Sequence, residues 1–78
     1  MSVKNRRALV VWEDSVSHDP WQSVEDALSH DDIMLVESVG FILKSDRKRV
    51  VLCHSIHLDQ VCGVMTIPRS AVRSITTL

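Results

Sequence analysis

The sequence predicts a mainly β domain, a small closed barrel of five short strands with one short helix between the first and second strands. Three observations carry this reading. β-Branched and aromatic residues gather in runs too short for helices, beginning with Ala8-Leu-Val-Val-Trp-Glu13. Alternation sets in after residue 33, placing Leu35, Val39, Phe41 and Leu43 on one face. Polar breaks such as Ser45-Asp-Arg-Lys48 divide the alternating part into hairpins. Residues 1–78 make a single domain, close to the size at which one hydrophobic core barely outweighs chain entropy, so self-association is the expected aid to stability. Five thin strands form either two small sheets or a closed barrel, and closure removes exposed edges.

The elements follow in order. Ala8 to Glu13 is the first strand, ended by Ser-Val-Ser-His-Asp-Pro. Asp19 before Pro20 predicts a helix start, since the carboxylate accepts from free amides and proline at the first helical position loses no needed donor. Gln22 completes a capping-box pattern. The helix is expected from Pro20 to Ser29, with Trp21, Val24 and Leu28 on one apolar stripe forming a lid and Gln22, Glu25 and Asp26 facing water. Ile33 to Lys44 reads as the second strand, with Leu35, Val39, Phe41 and Leu43 on one face, and Arg49 to His57 as the third. After Leu58-Asp59-Gln60 the chain returns from Cys62 to Ile67, and Pro68, lacking an amide proton, stops the pairing. A turn through Arg69 and Ser70 leads to the last strand, Ala71 to Thr77. Trp21 and Phe41 are expected in the core, whereas Trp12 suits either the core or a stacking platform for a base.

The net charge of −1 excludes a surface that is basic throughout. The charges nevertheless segregate. Lys4, Arg6 and Arg7 come first; Asp14, Asp19, Glu25, Asp26, Asp31 and Asp32 follow; Lys44, Arg47, Lys48, Arg49, Arg69 and Arg73 occupy the second half. A polyanion site is therefore expected at the second half or the extreme N-terminus. Two cysteines and the absence of a long apolar run point to a reduced, cytoplasmic chain with no membrane segment.

The stretch CHSIHLDQVC, residues 53–62, holds two cysteines and two histidines, yet strand geometry opposes a metal centre. Cys53 and His54 point to opposite faces, and Cys53 and His57 are separated by roughly 13 Å of extended chain. With a turn at Asp59-Gln60, His57 faces Cys62, which supplies too few ligands for one chain; a metal shared between two subunits stays open. A Cys53–Cys62 disulfide requires the turn at His57-Leu58, which lacks turn chemistry. Cys53 is read as a small buried filler. His18 beside Asp19, and His30 beside Asp31 and Asp32, are read as helix-flanking caps. No glycine-rich phosphate loop, nucleophile elbow or buried carboxylate pair is present, so neither catalysis nor a cofactor nor a resident metal is expected.

Several motifs resemble the Sm-like family. Gly40-Phe41-Ile42, Asp46 six residues after that glycine, and Val50-Val51-Leu52 are similar to the glycine, acidic turn and apolar strand of the first Sm motif. Pro68-Arg69-Ser70-Ala71-Val72-Arg73-Ser74-Ile75 resembles the second, where the bacterial, Hfq-like branch carries Tyr-Lys-His-Ala-Ile. Asp19-Pro20-Trp21 is similar to that branch's Asp-Pro-Phe helix start. The whole chain also resembles a group of short bacteriophage proteins with a Ser-Val-Gly segment, a Val-Val-Leu strand and an Ile-Pro-Arg-Ser ending, here at residues 38–40, 50–52 and 67–70. The resemblance implies an Sm-like barrel that forms rings by joining strands four and five across subunits. Arg69 takes the basic position of the second motif, flanked by Pro68 and Ser70 where the branch has Tyr and His. Arg47, Lys48 and Arg49 follow the acidic turn. A strand precedes the helix, and Ile33 to Lys44 lacks a turn, so a general SH3-like barrel stays open as well.

The expected protein is a non-enzymatic, cytoplasmic homo-oligomer of phage type that binds RNA or a small nucleotide through Arg69, Ser70 and the Arg47-Lys48-Arg49 turn. The alternative is a phage accessory protein that binds and inhibits a host protein through the acidic helix from Trp21 to Ser29. A structural component of a larger assembly is a third reading.

Overall fold

The structure, a computed structural model, describes residues 6–78; Lys4, part of the basic start, lies outside them. Its elements are β1 (Arg6–Asp14), α1 (Val24–Leu28), β2 (Met34–Ser45), β3 (Arg49–Cys53), β4 (Ser55–His57), β5 (Gln60–Cys62), β6 (Met65–Pro68), a 3-10 turn (Arg69–Ala71) and β7 (Val72–Thr77). The mainly β class and the helix between the first two strands agree with the sequence. Five strands form one antiparallel sheet in the order β6-β3-β2-β1-β7, while β4 and β5 make a separate two-stranded ribbon.

The large sheet is built on the long β1–β2 ladder, in register from Arg6 opposite Ile42 to Asp14 opposite Met34. That register decides which face is buried. Residues directly opposite share a face, so buried Ala8 and Val10 bring Gly40 and Ser38 with them, and half-buried Trp12 brings Val36. The expected face of Leu35, Val39 and Phe41 is therefore the outer one, with Leu35 and Val39 59% and 63% exposed, while Leu43 lies at a register shift in the β2–β3 ladder and is half-buried. A slip of one residue exchanges the two faces, and the apolar pattern of β2 is too even to choose between them. Trp12 is settled on the core side, with its indole Nε1 donating to Ser38 Oγ at 3.0 Å. Phe41 is half-buried.

Ala8, Val10, Ile42, Val50, Leu52 and Ile67 form the core, with Trp12, Ala71, Val72 and Ile75 packed against it. Full burial of side chains such as Val10, Val50 and Ile67 contributes roughly 1.5–3 kcal/mol each. Ile67 comes from one edge strand and Ile75 from the other, so the sheet curls around a single core. It does not close into the expected barrel. β6 and β7 are joined by the 3-10 turn but make no ladder with each other. Pro68 removes a donor at the end of β6, and the 3-10 turn carries the chain across the end of the sheet to reach β1 instead of folding back as a hairpin.

Two predicted strands are interrupted for one local reason. Gly63 has φ +67°, and a Cβ there would stand 2.5 Å from Cβ of His54, so the chain bends between β5 and β6. His54 N–H donates to Cys62 O at 3.0 Å across this bend, and β3 ends at Cys53. The ribbon beyond turns at Leu58-Asp59, with Leu58 at φ +55°.

The helix is shorter than expected and starts elsewhere. Ser23 is extended, its Oγ accepts from Asp26 N–H at 3.0 Å, and α1 begins at Val24. This cap lies closer to the helical residues than Asp19 and replaces it. The Trp21, Val24 and Leu28 stripe covers no core: Trp21 is fully exposed, and Val24 and Leu28 are 75% and 79% exposed. Residues 15–33 form an arm standing off the sheet. The radius of gyration, 16.3 Å, reflects this, since a compact chain of this length has about 11.5 Å.

Candidate functional site

The turn between β2 and β3 is organised by one carboxylate. Asp46 Oδ1 accepts from the backbone N–H groups of Lys48 and Arg49, both at 2.8 Å, and Asp46 N–H donates to Arg49 O at 3.0 Å. The N–H bonds from Lys48 and then Arg49 hold the Asp46 carboxyl below its ordinary value, with the nearby charges of Arg49 and Lys44 adding to the effect. Lys44 Nζ and Arg49 Nε lie 3.7 and 3.9 Å from Oδ2. Asp46 is thereby committed to shaping the turn and its charge is locally balanced.

The β3–β6 register sets Arg49 opposite Pro68, which brings the 3-10 turn beside the Asp46 turn. Two bonds fasten the junction: Arg69 N–H donates to Lys48 O at 2.9 Å, and Arg69 Nη1 donates to Ser45 Oγ at 2.8 Å. Between the two turns lies a shallow, open pocket of about 400 Å³ lined by Ser45, Asp46, Arg47 and Arg69. Two stretches more than twenty residues apart in sequence thus supply one cationic concavity, the kind of surface that receives a phosphate or carboxylate.

Of the expected binding residues, Arg69 and Arg47 line this pocket. Lys48 and Arg49 belong to the same turn but do not line it; Arg49 is turned towards Asp46. Ser70 is exposed on the 3-10 turn, outside the lining. Sequence reasoning missed Ser45, which orients the Arg69 guanidinium, because a serine in a polar turn signals only the turn. Arg73 is occupied by Glu13 across the β7–β1 pair and stands apart.

A second, smaller concavity of about 200 Å³ lies along the β4–β5 ribbon, lined by Ser55, Ile56, His57, Gln60, Val61 and Cys62. Here the expected partnering is corrected. His57 is opposite Gln60 and Cys62 is opposite Ser55, because the turn falls one residue earlier than expected. Both cysteines are free, Cys53 buried and Cys62 exposed. Burial pushes the Cys53 thiol above its usual range, with proximity to Cys62 adding to the rise.

Among the described residues, no helix is long and apolar enough to cross a membrane. Set against protein-family models, curated proteins and solved structures, the chain matches none.

Proposed function

We propose that the protein is a non-enzymatic binding module that takes the phosphate of an RNA or a small nucleotide in the Arg69–Arg47 pocket and works as a homo-oligomer. The observation that carries this reading is the meeting of the two turns, with the Arg69 fork oriented by Ser45 and Arg47 set beside it. Asp46 does not oppose an anion strongly, since two backbone N–H groups, Lys44 and Arg49 already answer its charge. The open sheet supports the oligomer. Among the described residues β6 and β7 are its two edges, each with one unpaired side, and joining the β6 edge of one copy to the β7 edge of another continues the ladder. Repetition of a weak pocket around such an assembly raises affinity for a multivalent ligand. With the motifs quoted above, this is the reading of a phage-type Sm-like chain acting in the host cytoplasm.

The test is binding of a short RNA and of mononucleotides at low salt, with native mass measured in parallel. Replacing Arg69 and Arg47 by Ala is expected to abolish binding and leave particle size unchanged. Unchanged binding by the double variant overturns the assignment, and a monomeric native mass overturns the oligomer.

One observation favours a second reading, a host-protein-binding accessory. Trp21, Val24 and Leu28 stand exposed beside Glu25 and Asp26, a pattern suited to a protein cleft that is apolar at its floor and basic at its rim. Capture of such a partner would survive nuclease, fail with Trp21→Ala and persist with Arg69→Ala.

A further inference from the structure

Every residue from 15 to 33 is exposed, so the arm buries no core of its own. Ordering the backbone costs conformational entropy at every residue, and a five-residue helix returns little of it. Apart from the bonds and cap of α1 itself, the arm's side-chain interactions converge on one spot. His18 Nε2 and Asp32 Oδ2, from its two ends, meet at 2.8 Å. His30 stacks on His18 with ring centroids 3.9 Å apart and planes within 9°. His30 Nε2 lies 2.9 Å from Gln22 Oε1. The expectation that both histidines are helix caps does not describe this arrangement, since Ser23 caps α1 and His18 finds a partner fourteen residues away.

We propose that His18, His30 and Asp32 bind one divalent transition-metal ion of the zinc type, which staples the base of the arm. One ligand atom from each residue lies within 4.8 Å of the other two, the one such convergence of His, Cys, Asp or Glu among the described residues. Tetrahedral zinc, with bonds of about 2.0–2.1 Å, sets its ligand atoms roughly 3.4 Å apart. The stacked rings hold their in-plane lone pairs nearly parallel, so the triad closes on an ion when the imidazoles tilt out of the stack, side-chain rotations that exposed residues make freely. The ion takes the place of the proton between His18 and Asp32. Gln22 Oε1 can only accept, so it holds the proton on His30 Nε2 and leaves Nδ1 as that ring's ligand atom, with water completing the set.

Two imidazoles and a carboxylate oxygen select zinc, cobalt or nickel over magnesium or calcium, which prefer all-oxygen shells. The structural consequence follows from where the ligands sit. His18 precedes α1 while His30 and Asp32 follow it, so one ion clamps both flanks and fixes the orientation of Trp21, Val24 and Leu28. Because the arm has no core, the binding free energy is available to order it. The site is independent of the phosphate pocket and stands or falls separately.

The experiment uses the full chain, freed of metal with a chelator, titrated by calorimetry with zinc chloride alone and then with magnesium chloride, with far-UV circular dichroism as the fold control. One saturable zinc per chain is expected, with no comparable response to magnesium. His18→Ala/His30→Ala is expected to lose the zinc response and keep the sheet signal, because neither side chain touches the core. His54→Ala/His57→Ala/Cys62→Ser is expected to keep the response. In the unmodified chain, zinc is expected to shift the imidazole 15N resonances of His18 and His30 and leave those of His54 and His57 in place, a readout independent of any variant. No saturable zinc binding, an equal response to magnesium, or shifts confined to His54 and His57 would overturn the proposal. So would survival of binding in the first variant or its loss in the second.

Discussion

Arg69 Nη1 rests 2.8 Å from Ser45 Oγ, a bond between the 3-10 turn and the end of β2 that holds the guanidinium over the pocket without consuming its whole donor fork. If phosphate is bound there, Arg69→Ala should lower the slope of log affinity against log salt by about 0.7–0.9 for each phosphate that Arg69 neutralises. Arg69→Lys should restore charge but not the fork, leaving affinity between the two. A binding isotherm at three salt concentrations reads both effects.

Gly40 occupies a position where a Cβ would stand 2.7 Å from the carbonyl oxygen of Cys53. The obstacle is backbone in the adjacent strand, so it cannot rotate away. Gly40→Ala is expected to destabilise the chain by about 1–3 kcal/mol through forced separation of β2 and β3. Urea denaturation with an unchanged slope and a lower midpoint would show it; an unchanged midpoint would refute it.

Asp46 ties its own turn in the charged form. Its carboxyl is held below the ordinary value of 3.8, so the folded state binds its proton less readily than the unfolded state. The contribution to stability is fully present above the ordinary carboxylate range and is lost as pH falls through the folded value. Asp46→Asn should lower the melting temperature at neutral pH by a few degrees and flatten that part of the acid dependence. A melting series from neutral to acid pH, compared between the two proteins, tests the sign.

Trp21 and Ile67 should behave in opposite ways. Ile67 is 1% exposed in a short edge strand, and Ile67→Ala is expected to cost roughly 2–5 kcal/mol, enough to unfold much of so small a domain. Trp21→Ala is expected to change stability by no more than about 0.5 kcal/mol, since its side chain covers nothing. Collisional quenching of tryptophan emission should correspondingly reach Trp21 and spare Trp12.

The two thiols should separate in a labelling experiment. Cys62 is exposed and should react with a disulfide reagent at once. Cys53 is buried with its thiol pushed upward, so it forms less of the reactive thiolate and should wait for unfolding. Simultaneous labelling of both under native conditions would contradict the burial of β3.

Much of this was legible in the chain, and the parts that were not share a physical cause. Strand positions, the Ser45–Lys48 turn, the stop at Pro68 and the basic character of both pocket turns follow from local chemistry: branching, turn residues and the missing proline donor. Local chemistry did not reveal which face of β2 is buried, because a period of two looks the same from either side and only pairing with Ala8 and Val10 chooses. It placed Trp21 in a core because an apolar stripe on a helix records what could be buried, whereas burial depends on whether a surface stands opposite. The bend at Gly63, the opening of the barrel, and the meetings of Arg69 with Ser45 and of His18 with Asp32 join residues far apart along the chain. The sequence by itself determined the strands and the charge of the turns; register and chain path, which are properties of pairs of segments, decided what those residues touch.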